Sequence, residues 1–306
     1  MLRETNRIKQ SGSFLLGCAL ALGLGAPAHA QDDLYPSSET SAPATGPAPS
    51  AQSAEAPEGP YPSNYVERPI VLTRGMLRVD AAINHWRFQV STAAGSVSAN
   101  ATEMRFGAGF GITDDIEAGI SYQAIASPLA LGMASTGGFR LQIDPTFDLG
   151  DIGAYGRYRL ARGQLEAAVE AGVSLPIQTD FAFWVAAPIR YTMGALALDT
   201  GLALALFLPS GLTILNVLLP IRPRFALTPA LYAGLDTGLQ LQLLDGDGWS
   251  IPLGLETGYV LQVGGSPLDI FLNFSFLSFL SKESDGVQTS LWNLLIGIRF
   301  HTLTAS

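Results

Sequence analysis

Hydrophobic side chains make up 48% of the 306 residues and charged ones only 14%, well below the roughly 25% of ordinary soluble domains, which argues against a water-solvated globule. The formal charge is −9, and with no basic footprint the chain is not expected to bind nucleic acid. The single cysteine, Cys18, excludes a disulfide framework and a thiolate metal site.

Residues 1–30 read as a secretion signal. Arg3, Arg7 and Lys9 form a basic front, Phe14 to Gly25 an apolar centre, and Ala28-His29-Ala30 a small-residue cleavage site. The apolar centre is too short to cross a bilayer as a helix, and no later run supplies the about 18 apolar residues a helical span needs. Most apolar residues follow Cys18 instead of preceding it, which argues against a lipoprotein site. Arg3, Arg7 and Lys9 outnumber Glu4 by two, so removing this segment leaves a charge of −11. Residues 31–68 are rich in Pro, Ala, Ser and Glu and are expected to be a disordered periplasmic linker, either a plain spacer or an arm with a periplasmic partner.

From residue 69 onward, side chains alternate with the period of two that places neighbours on opposite faces of a sheet. Leu77, Val79, Ala81 and Ile83 alternate with Arg78, Asp80 and Asn84. Met104, Phe106, Ala108 and Phe110 alternate with Arg105 and glycines, and Ile116 to Tyr122 resume the pattern after Thr113-Asp114-Asp115. The same hairpin unit recurs around Ala161–Gln164, Gly194, Leu227–Ala230 and Val263–Pro267, and a last strand runs to Phe300. This makes about twelve strands, an even number, as single-chain outer-membrane barrels have.

Six aromatic residues, Phe110, Tyr158, Tyr191, Phe225, Tyr259 and Phe300, each close such a segment just before a polar turn or the chain's end. In a membrane barrel every second strand descends to the same water boundary, where an amphipathic ring sits best. The fold expected is therefore all-β: a transmembrane up-and-down antiparallel barrel over residues 69–306, in contact with outer-membrane lipids. Its short turns and both termini are expected on the periplasmic side. A β-sandwich is the competing fold, but it would bury the large residues between its sheets, whereas here one face is greasy throughout and the other carries Gly, Ala, Gln, Arg and Glu.

The inward parity collects the polar candidates: Arg78, Asp80, Arg105, Arg157, Arg159, Glu166, Glu170, Arg190, Arg222, Arg224, Asp236 and Arg299. Counting back from the Ala161–Gln164 turn sets Arg159 opposite Glu166 and predicts an ion pair there. Arg222 and Arg224 should neighbour Asp236 and Gln240, and Arg78, Asp80, Asn293 and Arg299 should meet at the seam of first and last strands. These charges either line a water-filled path or fill the lumen as a rigid network. Phe271, Leu277 and Phe279, with Phe181, Phe183 and Trp184, could form an apolar entrance on one side; the alternative is an outer girdle or a bulge that reverses their facing.

Enzymatic readings find little support. Beyond the signal the histidines are His85, with outward parity, and His301, past the last strand; neither has an evident partner for nucleophilic catalysis. Asp245-Gly246-Asp247-Gly248 lacks the later ligands of a calcium loop and reads as a hairpin turn, so neither metal nor cofactor is expected.

The stretches Phe110-Gly111-Ile112-Thr113-Asp114-Asp115-Ile116-Glu117-Ala118-Gly119 and Leu149 to Leu160 resemble segments of proteobacterial outer-membrane proteins, in particular the transporters of the meta-cleavage phenol-degradation pathway. The leading expectation is a passive outer-membrane channel or uptake protein for small molecules, apolar ones included, working without a cofactor. A non-conducting barrel that anchors the linker for adhesion or envelope organisation is the second expectation. A lipid hydrolase built on His85 is the third.

Overall fold

The computed structural model describes residues 61–92, 95–126, 129–133, 139–143, 147–148, 151–175, 181–208, 213–244, 248–282 and 286–303. Twelve long strands form one closed wall: β1 (Met76–Thr92), β2 (Gly95–Gly111), β3 (Ile116–Ala126), β4 (Ile152–Ala161), β5 (Leu165–Leu175), β6 (Phe181–Met193), β7 (Leu196–Leu208), β8 (Ile214–Ala226), β9 (Leu231–Leu244), β10 (Gly248–Val263), β11 (Ser266–Ser281) and β12 (Trp292–Leu303). Every sequential pair is antiparallel. β1 closes on β12 in a continuous register from Met76 opposite Leu303 to Arg87 opposite Trp292. Closure leaves no unpaired edge, a necessity where no water can satisfy backbone groups.

The distribution of side chains is that of a membrane wall. Ile120, Leu160 and Leu255 are 60%, 60% and 63% exposed, and Val79, Ile83, Ile221, Ile296 and Ile298 share that outward face. Leu198, Val217, Leu219 and Leu239 are half-exposed there as well, not sequestered between two sheets. Arg78, Glu117, Arg157, Asp199 and Asp269 point inward and are buried. A sandwich would show the reverse. The six turn-end aromatics all face outward, and Phe110, Tyr158, Tyr191, Phe225 and Tyr259 stand well exposed beside the short turns.

Residues 85–103, where periodicity fades in the sequence, continue the wall. β1 and β2 run 17 residues each and pair as far as Thr92 opposite Gly95, so this hairpin is longer than the other strand pairs. Between β3 and β4 lies a short hairpin, Leu129–Met133 with Phe139–Ile143, and a two-residue bridge, Phe147–Asp148, against β3. The Asp245–Asp247 turn falls outside the described residues, as do residues 1–60 and with them the expected secretion signal.

Glycines on the inner wall make room for aromatic rings. A Cβ on Gly119 would stand 2.3 Å from the Tyr155 ring, and one on Gly258 would stand 2.3 Å from the ring of Tyr232. These rings lie flat along the wall, where they cover the backbone of the neighbouring strand and leave the lumen free for other groups.

Candidate functional site

Residues 61–72, ahead of β1, lie inside the barrel at the end that carries the short turns. Residues 61–68 were assigned to the linker on composition; their place in the lumen corrects that boundary, whereas 31–60 lie outside the described residues. The segment begins with Tyr61 stacked at 4.9 Å on His301, which is buried within β12 and not past the last strand as expected. Asn64 caps a single 3-10 turn, Tyr65–Glu67, accepting from the Val66 amide at 3.3 Å and donating to Glu67 Oε1 at 2.8 Å. The Tyr65 ring stacks on Tyr232 of β9 at 4.3 Å, and the guanidiniums of Arg68, Arg190 and Arg224 lie 5.3–5.7 Å from its centroid. Such cation–π contacts gain strength where the ring is desolvated.

From Arg68 onward the wall holds the main chain. Arg68 itself pairs with Asp269 of β11, Nη1 to Oδ2 at 2.5 Å, both side chains being buried. Arg190 of β6 donates to the Arg68 carbonyl at 2.7 Å. Glu166 of β5 accepts from the Ile70 amide at 2.8 Å, and Arg157 of β4 donates to the Ile70 carbonyl at 2.5 Å. Arg159 donates to the Val71 carbonyl, and Glu117 of β3 accepts from the Leu72 amide at 2.9 Å. Val66 and Val71 have no exposure. Contacts with strands from β3 round to β12 show that the segment crosses the lumen.

It leaves through a tight turn. The Met76 amide donates to the Thr73 carbonyl at 3.0 Å, Gly75 takes φ 73°, and its amide donates to the Gly111 carbonyl at 2.8 Å. Gly111 must be glycine for this passage: a Cβ would stand 1.9 Å from the Thr73 carbonyl oxygen.

The wall charges beneath the segment form two chains of ion pairs. One runs from Arg299 through Asp80 (2.9 Å), Arg78 (3.2 Å), Glu117 (3.3 Å) and Arg157 (3.9 Å) to Glu170 (2.6 Å). The other joins Arg190, Asp199, Arg224 and Glu256, with Arg224 and Glu256 at 3.1 Å. Arg68 links the two, its carbonyl to Arg190 and its guanidinium to Asp269, which is also 3.9 Å from Arg299. Tyr155 joins the first chain, its hydroxyl donating to Glu117 and accepting from Arg78, each at 2.7 Å. Burying so many charges is tolerable only because each finds several partners.

The sequence-derived candidates distribute as follows. Arg78, Asp80 and Arg299 meet at the β1–β12 seam, while Asn293 sits higher and donates to Asn84 at 3.2 Å. Arg222 pairs with Asp236 at 2.8 Å, and Arg224 pairs with Asp199 and Glu256. Arg105 pairs with Glu103. The expected Arg159–Glu166 pair does not form. Pairing begins with Ala161 opposite Ala167 and runs, beyond a bulge, with Arg159 opposite Ala168, two residues away from the register counted from the turn, so Glu166 faces Arg190 and Arg157 takes Glu170. The two residues are thereby released to bind the luminal segment. Glu117, Asp199, Glu256 and Asp269 complete the networks and were missed, although their inward parity matches that of the arginines they serve.

Above the segment the lumen carries amides and hydroxyls. Asn273 donates to Asp236 at 3.1 Å, Ser275 bonds Asn293, and Ser250 bonds Gln240 at 3.4 Å. The apolar entrance is not assembled inside. Phe181 and Phe183 are exposed on the outer face, and Phe279 packs near Phe276 at 6.2 Å beyond the Ile251/Leu253 bulge. Trp184 faces inward and donates its indole N–H to Glu170 at 2.8 Å. His85 lies on the outer face with Nδ1 2.9 Å from Thr102 Oγ1 and its ring 5.8 Å from Trp292; neither partner is an acid or amide.

A closed wall with a greasy outer belt, aromatic turn ends and a charged interior defines an outer-membrane β-barrel. No family model matches the chain, and no curated protein does. Among solved structures it is similar to an outer-membrane channel from Pseudomonas putida F1, with 13% identity over 76% of this chain and 97% of that one and a TM-score of 0.49. It is also similar to the NanC porin, with 9% identity over 72% and 98% and a TM-score of 0.46. The KdgM porin in complex with disordered oligogalacturonate gives 5% identity, 72% and 98%, and a TM-score of 0.43.

Proposed function

We propose that the protein is a passive outer-membrane channel for small polar solutes, with residues 61–72 as a removable plug at its periplasmic end. The observation that carries this reading is how the segment is held. It is not a strand of the wall, and its anchors are side chains that can exchange it for water. A lumen that accommodates a folded peptide segment leaves an aqueous path once vacated, and the amide and hydroxyl lining above it suits polar solutes. The hairpin likeness to phenol-pathway transporters agrees with this as to passage across the outer membrane. In this reading the short turns and both termini are periplasmic, and residues 31–60 act as the tether through which a periplasmic partner could draw the plug.

The test compares the mature protein with a variant lacking residues 31–72 in planar bilayers. The variant should show larger or more frequent conductance steps. Silence of the deletion variant, with its barrel shown to be folded by the heat-dependent shift of its band on a gel, would overturn the channel reading in favour of a non-conducting envelope anchor.

A further inference from the structure

We propose that the turn end of the lumen is a binding site for a bent peptide backbone, held in cis by residues 68–72 and open to a free oligopeptide when that segment leaves. This deepens the channel reading and rests on departure of the segment.

The argument lies in which atoms the wall reads. Over Arg68–Leu72 five wall side chains from four consecutive strands meet main-chain atoms: Arg190 at the carbonyl of residue 68, Glu166 at the amide of 70, Arg157 at the carbonyl of 70, Arg159 at the carbonyl of 71 and Glu117 at the amide of 72. Cationic donors meet carbonyls and carboxylates meet amides, so each bond is charge-assisted and polarity-matched to a polypeptide. All five bonds end on main-chain atoms of residues 68–72, and Arg190 in addition lies 5.6 Å from the Tyr65 ring. Residues 69–72 are Pro, Ile, Val and Leu, and the last three are buried apolar side chains. Backbone recognition of this kind gives affinity without sequence restriction. A peptide that can take the same bends offers the same run of carbonyls and amides to the same partners.

The wall also keeps this site when empty. Arg157 holds Glu170 at 2.6 Å and Glu117 accepts from Tyr155 at 2.7 Å, so both stay positioned by contacts that do not involve the segment. In the intact protein the tethered segment competes at an effective concentration on the order of millimolar, which shields the site from dilute peptide.

The experiment uses the folded variant lacking residues 31–72 in detergent micelles, with a fluorescently labelled synthetic peptide of residues 61–72, and reads anisotropy. Binding should be saturable and should be lost in the intact protein. A peptide with other apolar residues at 70–72 should bind within a few-fold. A peptide with esters in place of the amides of residues 70 and 72 should bind at least about tenfold more weakly, because each ester removes a charge-assisted bond. Glu166→Ala in the deletion variant should weaken the all-amide peptide and narrow its advantage over the ester peptide. Absence of binding at millimolar peptide, or equal binding of ester and amide peptides, would overturn the proposal. Because binding is read without current, this outcome is separate from that of the conductance test. A variant that conducts but binds no peptide keeps the channel and loses the peptide site.

Discussion

Arg68→Met should unseat the luminal segment while leaving the wall intact. Arg68 places its guanidinium 2.5 Å from Asp269, both buried, donates to the Pro62 carbonyl at 2.9 Å and the Ser63 carbonyl at 3.3 Å, and packs over Tyr61 and Tyr65. Removing one member of a buried pair costs about 3–5 kcal/mol, because the other charge is left behind. Asp269 retains Arg299 at 3.9 Å, and the methionine fills part of the arginine stem, so the lower end applies. At 1.4 kcal/mol per tenfold, about 3 kcal/mol corresponds to roughly 150-fold in the ratio of seated to unseated segment. Single-channel recording in planar bilayers should show that change as a higher open fraction at unaltered unit conductance. Asp269→Asn should act in the same direction, and the double variant should exceed neither single one by the sum of both, since the pair is one interaction. An open fraction unchanged by Arg68→Met, in a protein whose 31–72 deletion conducts, would refute the role assigned to this ion pair.

Two further expectations concern the lipid face and the pH response. Leu255→Arg, at a side chain 63% exposed between Leu235 and Phe274, should cost about 2–4 kcal/mol in urea titrations of folding into lipid vesicles, the penalty for a cation near the bilayer midplane. A cost near zero would contradict a lipid-facing position. The Tyr61 phenol is pushed up to about 12 by burial at the turn end of the lumen, a rise that the nearby Arg68 partly offsets. Its value is higher when seated than when released, so its contribution to seating is intact below about 10 and is lost as pH rises through about 12. The tyrosinate absorbance difference between wild type and Tyr61→Phe in micelles should therefore titrate near about 12; a midpoint near 10 would place Tyr61 in open solvent.

Much of the wall was legible because a barrel's constraints are local and repeated. Alternation gave each strand its two faces, and one aromatic per strand pair marked the boundary, for residues such as Tyr158 and Phe225 whose neighbours in sequence suffice to show it. The inward arginines were legible for the same reason. Their partners were not, since pairing depends on register. The pairing next to Ala161 lies two residues from the register counted from the turn, which sets Arg159 opposite Ala168 and Arg157 opposite Glu170, and no periodicity signals such a slip in advance. The apolar entrance failed likewise, because Phe181 and Phe183 share a face that only the closed wall turns toward lipid.

The luminal segment was the larger omission. Tyr61 to Arg68 resemble a polar linker in composition, and the one available signal was the short run Ile70-Val71-Leu72, apolar yet too brief to be a membrane strand. What the amino-acid order by itself determined was a closed wall in lipid, because water and hydrocarbon sort side chains strand by strand. Only the tertiary structure decided what occupies the interior. Residues distant in sequence, Glu117, Arg157, Arg159, Glu166 and Arg190, converge on one stretch of backbone, and that convergence exists only once the cylinder has closed around it.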